Sequence, residues 1–184
     1  MAGGQQTWNQ YALIIELAER MQGRPFGRTA LQKLTYLLQE LHGVDTGYEF
    51  PLHTYGPYSS DLSADLHTLT AKQGVEVTND TRQGGFQISP GAKSEWIRAL
   101  GADSVRPHVE AIGEIVDEFG GMTTKELELR ATLVFAERDA RRRGTRLAED
   151  ALVEEVHEIK PNFSREQIGA ALRELREGNH IATA

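Results

Sequence analysis

The stretch Gly27–Leu69, GRTALQKLTYLLQELHGVDTGYEFPLHTYGPYSSDLSADLHTL, decides the fold class of this chain. Its first part has leucines at helical spacing, and Thr29 to Gln32 has the Thr-x-x-Gln pattern of a capping box. Gly47–Thr54 contains a proline and is typical of a short edge strand or an extended loop. A Tyr-Gly-Pro-Tyr turn then leads into a helix capped by Ser59 or Ser60. The layout predicts a helix-turn-helix variant with an extended segment between its helices.

The flanking segments extend this prediction to residues 1–100. Apolar residues from Trp8 to Met21 recur at helical spacing and predict a helix before the quoted stretch. After it, two alternating segments flank the polar turn Asn79–Gly85, which predicts a β-hairpin in the position of a wing. We therefore expect a winged-helix-like domain with the order helix, helix, strand, helix, hairpin.

Residues 101–184 are predicted to form a helical bundle. One helix is expected from Val105 to Phe119, with Pro107 in its first turn. Two further capping boxes, at Thr123–Glu126 and Ser164–Gln167, mark later helix starts. The predicted fold class is mainly α with a small β-hairpin. The bundle either forms a separate domain or shares one core with residues 1–100.

Composition restricts the function classes. The 184 residues include no cysteine, which excludes disulfides and thiolate metal sites and predicts a reducing, cytoplasmic location. No apolar run is long enough for a membrane helix, and the N-terminus does not have the pattern of a signal peptide. The net charge is −7. Since DNA-binding domains usually carry a basic excess, nucleic acid is a less favoured partner than protein.

The sequence contains no recognisable catalytic set. The six histidines show no metal-ligand spacing, and neither a phosphate-binding glycine loop nor a Gly-x-Ser-x-Gly motif occurs. We therefore predict a protein that is not an enzyme and has neither a metal nor a cofactor. A hydrolase assembled from scattered histidines and carboxylates is a third, weaker hypothesis.

The most distinctive local string is His53-Thr-Tyr-Gly-Pro-Tyr58, here called the elbow. Aromatic residues around it and two carboxylates on the following helix are the predicted partner-binding residues: Tyr48, Phe50, Tyr55, Tyr58, Asp61 and Asp65. The alternative is a packed corner whose hydroxyl groups are satisfied internally. The carboxylates oppose DNA binding through this helix, because base reading needs Arg, Lys, Asn or Gln and the hairpin turn offers only Arg82.

One basic cluster forms a second candidate site, for an anion. Its members are Arg138, Arg141, Arg142, Arg143 and Arg146. The alternative, which we favour, is that these cations complement the dipole at a helix C-terminus, with acidic neighbours reducing their field.

Several strings resemble known families. Gly27-Arg-Thr-Ala-Leu-Gln-Lys-Leu-Thr-Tyr36, Tyr48-Glu-Phe50, Tyr55-Gly-Pro-Tyr-Ser59 and Lys160-Pro-Asn-Phe-Ser-Arg-Glu-Gln-Ile168 resemble the YwgA-like family of uncharacterised prokaryotic proteins. More distantly, Leu31-Gln-Lys-Leu34 and Tyr-Gly-Pro are similar to the signature of the Panacea, or SocA-like, antitoxin domain. That resemblance implies a protein that contacts a toxin directly, or a proteolytic adaptor, and it supplies no catalytic residues.

Together these observations predict a non-enzymatic protein-interaction module, an antitoxin-like or defence-associated regulator whose partner is a toxin or a defence effector. The alternative is a DNA-binding transcriptional regulator of winged-helix type. The sequence predicts neither the oligomeric state nor the identity of the partner.

Overall fold

The structure, a computed structural model, describes residues 2–80 and 85–181. Its helices are α1 (Ala2–Arg20), α2 (Arg28–His42), α3 (Ser60–Ala71), α4 (Ser94–Leu100), α5 (Ala102–Val105), α6 (Val109–Phe119), α7 (Thr124–Arg142), α8 (Glu149–Ile159) and α9 (Arg165–Glu177), with a 3₁₀ turn at Arg106–His108. The strands are β1 (Leu52–His53), β2 (Gly56–Pro57), β3 (Val75–Asp80) and β4 (Gly85–Pro90). The mainly α fold with a small β-hairpin is confirmed.

The first half of the chain follows the predicted order of elements. Helix α3 leads directly into the antiparallel hairpin of β3 and β4, which pair from Val75 with Pro90 to Asp80 with Gly85. Of the predicted turn Asn79–Gly85, Asn79, Asp80 and Gly85 belong to the paired strands, so the turn prediction is too long. Residues 81–84, including Arg82, lie outside the described residues. Strands β1 and β2 form a second, very short antiparallel pair within the elbow region.

Three helices form the centre of the molecule. Residues 11–18 of α1, 30–38 of α2 and most of 127–136 of α7 are buried on every side. A helix that is buried all round needs neighbours on each face. Accordingly, α2 packs against α6 and α7, and α1 packs against α3, α4, α5 and β4.

One hydrophobic cluster extends from Tyr11 to Ile181 and includes side chains from both parts predicted at residues 1–100 and 101–184. Its largest interface between those parts is the packing of α2 on α7. Strand β2 of the elbow also packs on α7, so the elbow contacts a helix of the second part. In the portion of the chain that the structure describes, none of the helices combines the length and the apolar character needed to cross a bilayer.

The helix starts show which local patterns are used. Both capping boxes, Thr123 with Glu126 and Ser164 with Gln167, are confirmed, and Ser59 caps α3 by accepting a hydrogen bond from Leu62 N at 3.3 Å. The capping box predicted at Thr29 is wrong, because the N-cap of α2 is Gly27, two residues earlier, and the Gln32 side chain is bound to Ser59.

The helix predicted from Val105 to Phe119 is interrupted. Its first residue ends α5, a 3₁₀ turn containing Pro107 follows, and α6 begins only at Val109. Proline has no amide proton for an α-helical hydrogen bond, which favours this tighter turn.

Candidate functional site

The elbow is a tight reversal of the chain whose shape depends on one glycine. Strands β1 and β2 place Leu52 opposite Pro57 and His53 opposite Gly56. Gly56 has φ +84°, and a Cβ atom there would lie 2.9 Å from Thr132 Oγ1 on α7. Any other residue would therefore meet both backbone strain and a steric conflict at this position.

Gln32 of α2 binds the backbone where the elbow enters α3. Its Nε2 donates to the carbonyl oxygen of Ser59 at 2.8 Å, and the Ser59 amide donates to Gln32 Oε1 at 2.8 Å. Nε2 also lies 3.0 Å from Ser63 Oγ, to which it donates. Both residues of the Gln32–Ser59 pair are buried, so these bonds replace water that the backbone has lost.

The buried ammonium groups of two lysines bind backbone carbonyl groups of the elbow. Lys33 Nζ donates to the carbonyl oxygen of Pro57 at 2.6 Å, and Lys160 Nζ donates to that of Thr54. Lys160 Nζ also forms an ion pair with Glu128 Oε1 at 2.6 Å. Because the carboxylate comes from α7 and Lys160 follows α8, this network joins the elbow to the second half of the chain.

Burial lowers the pKa of Lys33. Loss of hydration disfavours its charged form, the Glu128 carboxylate opposes that effect, and the Lys160 ammonium adds to it. Together these effects lower the pKa of Lys33 from its ordinary value of 10.5 to about 8. The charged form of Lys33 is thus less favourable in the folded protein than in water, even though the Lys33 ammonium group donates the hydrogen bond to Pro57 that holds the elbow.

This shift predicts how stability depends on pH. Between pH 8 and pH 10.5 the unfolded chain keeps the Lys33 proton while the folded chain loses it, so Lys33 makes the free energy of unfolding rise with pH there. We expect the difference in this free energy, wild type minus Lys33→Met, to be flat below pH 8 and to rise above it. Urea titrations across this range measure the difference, and a flat or falling curve above pH 8 would contradict the prediction.

Two of the predicted contact aromatics lie in the core. Tyr48 is 4% exposed and Phe50 is 8% exposed, so neither offers the aromatic surface expected of it. Tyr48 OH donates to Asp65 Oδ2 at 2.8 Å, and burial raises the pKa of Asp65 although this hydrogen bond opposes the effect. Asp65 therefore has an internal role, holding the extended segment against α3.

The remaining predicted residues stay accessible. Tyr55, at the tip of the elbow, is 71% exposed, and Asp61 is exposed on the first turn of α3. Tyr58 is half-buried and donates from its hydroxyl group to Ser63 Oγ at 2.9 Å. Of the six predicted partner-binding residues, only Tyr48 and Phe50 are fully buried, and the half-buried Asp65 is bound to Tyr48.

A cavity of about 530 Å³ opens beside the elbow, between α2, α3 and the hairpin. We call it the elbow groove. Its apolar and aromatic wall is formed by Tyr55, Tyr58, Leu66, Val77 and Phe86, and its cationic side chains are Arg28 and Lys33. The groove thus joins predicted residues of the elbow to residues that the sequence did not single out.

Arg28 and Phe86 are two of the lining residues that were not predicted from the sequence. The guanidinium carbon of Arg28 lies 4.1 Å from the centre of the Phe86 ring, a cation–π contact between α2 and β4. Phe86 is 45% exposed, which is unusual for a large apolar side chain next to a core. The only available signal in the sequence was an aromatic residue at the start of the second hairpin strand.

The predicted arginine cluster is largely paired with carboxylates. Arg138 and Arg141 bind Glu137, Arg142 lies 3.8 Å from a carboxylate oxygen of Glu40, and Arg143 binds Asp139 and Glu155. Arg146 is exposed. This pairing and the position of Arg141–Arg143 at the end of α7 agree with the dipole interpretation, and the anion-binding alternative stays a prediction.

The exposed side of α3 carries Asp61 and His67, and no lysine or arginine lies within this helix. The described residues contain no group of three or more histidine or acidic side chains placed to hold a metal ion.

No protein-family model matches the chain, and no curated protein is significantly similar to it.

Proposed function

We propose that this protein is a cytoplasmic, non-enzymatic interaction module that binds a partner protein through the elbow groove. The observation that carries the proposal is the pair of exposed aromatic side chains, Tyr55 and Phe86, that flank this cavity. Aromatic residues at the rim of a concave surface are typical energetic centres of protein interfaces. The resemblance to antitoxin domains supports a toxin or a defence effector as the partner.

The rigidity of the elbow also supports this proposal. Binding costs free energy whenever it orders flexible loops and side chains. Here Lys33 and Lys160 bind the elbow backbone and Gln32 binds the residue that follows it, so the Tyr55 side chain extends from a preorganised turn. A module of this kind loses little entropy when a partner docks.

Substitution of the two rim aromatics is expected to weaken binding strongly. Tyr55→Ala and Phe86→Ala should each raise the dissociation constant of the partner roughly 30-fold, the effect of losing an interface hot spot. A photoreactive amino acid placed at position 55 in the native host identifies the partner by crosslinking, and titration calorimetry with the purified partner measures the effect.

Trp96→Ala is the matched control, because Trp96 is 61% exposed but lies on α4, outside the groove. It should leave affinity unchanged. If all three variants bind the partner as the wild type does while remaining folded, the elbow groove is not the contact surface.

The DNA-binding alternative makes a different prediction. A regulator that neutralises phosphates binds duplex DNA with an affinity that falls steeply as salt rises. A mobility-shift series over salt concentration on random duplex separates the two functions, and a steep dependence would favour the alternative.

A further inference from the structure

The elbow groove is cationic in an acidic protein. The chain carries a net charge of −7, yet the groove is lined by Arg28 and Lys33, and no carboxylate of a described residue lines it. Charge complementarity therefore favours an anionic ligand at this concave surface.

A second cavity continues this surface. It has a volume of about 460 Å³, lies between the start of α2, β4 and the start of α7, and shares Arg28, Thr29 and Phe86 with the elbow groove. Among the described residues that line it there is again no aspartate or glutamate. The two cavities share the Arg28–Phe86 pair, so a ligand that occupies both must pass this pair, which an extended chain can do.

Arg28 is available to such a ligand. It is exposed, and with the described side chains its guanidinium forms only the contact with the Phe86 ring. Stacking on an aromatic ring fixes the guanidinium plane while leaving its N–H edges free for a carboxylate. The ammonium group of Lys33 is already bound to Pro57, so it contributes positive potential rather than a direct contact.

The start of α2 adds to the same potential. In the described structure, the N-cap residue Gly27 offers no side-chain cap, and the first turn of α2 contains no acidic residue. The positive end of the helix dipole therefore faces both cavities without an internal counter-charge, which strengthens the preference for an anion beside Arg28.

The composition of the groove wall favours an acidic peptide over a nucleic acid as the anionic ligand. Nucleic acid binding draws on many phosphate contacts, typically about 6–10. This surface has one exposed cation, Arg28, and one buried ammonium group, Lys33, together with an apolar wall that includes Leu66 and Val77. Asp61 is exposed on the adjoining helix. Apolar contacts combined with a single strong cationic contact match a peptide that alternates apolar and acidic side chains.

We infer that the elbow groove and the adjoining cavity bind an extended acidic segment of the partner protein, with one carboxylate held by the Arg28 guanidinium. This inference rests on the proposed function and specifies its ligand. Apolar side chains flanking that carboxylate occupy the two cavities, on either side of the Arg28–Phe86 pair.

A display library of short random peptides selected on the wild-type protein tests the inference. Peptides that compete at the groove, recognised by loss of binding to Tyr55→Ala and Phe86→Ala, should be enriched in aspartate or glutamate beside apolar residues. For one such synthetic peptide, Arg28→Glu should weaken binding roughly tenfold to hundredfold, as expected for the loss of a charge-assisted hydrogen-bond pair.

Arg28→Glu should fold normally, because a carboxylate in the first turn of a helix is favoured by the dipole. Replacing the acidic residue of the peptide by lysine should restore binding to this variant. Arg146→Glu, at an exposed arginine outside both cavities, is the control and should leave affinity unchanged.

The outcomes separate this inference from the proposed function. Groove-binding peptides without acidic enrichment, or with equal affinity for Arg28→Glu, would overturn the inference and leave the proposed function standing. A library without any peptide sensitive to the two rim substitutions would contradict both. Displacement of the peptide by a single-stranded oligonucleotide, dependent on Arg28 and on salt, would overturn the inference in favour of nucleic acid.

Discussion

Replacing Glu128 by glutamine is expected to lower the free energy of unfolding by about 3–5 kcal/mol, the usual cost of removing one partner from a buried ion pair. The substitution preserves shape but removes the carboxylate that pairs with Lys160 and lowers the electrostatic cost of charging Lys33. Two ammonium groups would then remain buried beneath the elbow without a counter-charge. Urea unfolding followed by circular dichroism measures the loss.

A pH series gives this prediction a second readout. Without Glu128, the pKa of Lys33 in the folded protein should fall below the value of about 8 that it has in the wild type. Folded Glu128→Gln protein then sheds the Lys33 proton at a lower pH than the wild type does. The free energy of unfolding of this variant therefore begins to rise at a lower pH than that of the wild type. The difference between wild type and variant should thus be larger at about pH 6 than at about pH 8.

The control for this experiment is Glu155→Gln. Glu155 pairs with Arg143 near the surface, at 3.1 Å, and such pairs contribute at most about 1 kcal/mol. If Glu128→Gln costs no more than this control, the buried lysines do not depend on the carboxylate, and our account of how the elbow is held is wrong.

Gln32→Leu should be the second most damaging substitution, lowering the free energy of unfolding by about 2–4 kcal/mol. Leucine is similar in size to glutamine but leaves the buried amide and carbonyl groups of Ser59 without the partners described above. The cost comes mainly from the Ser59 amide, which has lost its water and gains no replacement, whereas the Ser59 carbonyl keeps only the weaker 3.3 Å hydrogen bond from Ser63 N. The midpoint of urea unfolding is the measurement.

Gln10→Leu provides the comparison for this substitution. Gln10 also lies on a helix and also binds a backbone carbonyl, that of Gly47 at 3.0 Å, but it does so at the surface. Water can replace that bond, so the change should cost less than about 1 kcal/mol. Equal effects of the two substitutions would show that burial of the Ser59 backbone is not what makes Gln32 important.

The sequence predicted the elements well where the information is local. Helix α7 and helix α9 begin at capping boxes whose members lie within one turn, and the β3–β4 hairpin follows from short alternating segments. These patterns are decided by neighbouring residues, so tertiary structure has little opportunity to override them.

The errors arose where a distant partner decides the outcome. Thr29-x-x-Gln32 has the form of a capping box, but the amide of Gln32 binds Ser59 across the fold, and this partner cannot be found from spacing alone. Tyr48 and Phe50 were misplaced for another reason. From Val44 to Phe50 buried and exposed residues alternate strictly, a pattern that was available in the sequence but was not recognised.

The elbow groove could be predicted only in part. Tyr55 and Tyr58 stand out in the sequence because they belong to a distinctive turn. The contact between Arg28 and Phe86 joins two elements that are far apart in the chain, and neither residue belongs to a motif. Surfaces of this kind are created by packing, so they become visible only when the elements have been assembled in space.

The burial of Lys33 and Lys160 also divides the lysine side chains of the protein into a buried and an exposed class. The chain contains five lysines, and the other three, Lys72, Lys93 and Lys125, are exposed. Amine-reactive dyes, acetyltransferases and ubiquitin ligases meet only this exposed set while the chain is folded. Acylation of Lys33 or Lys160 would consequently show that the side chain had been exposed to solvent, so modification of these two lysines reports on unfolding of the protein.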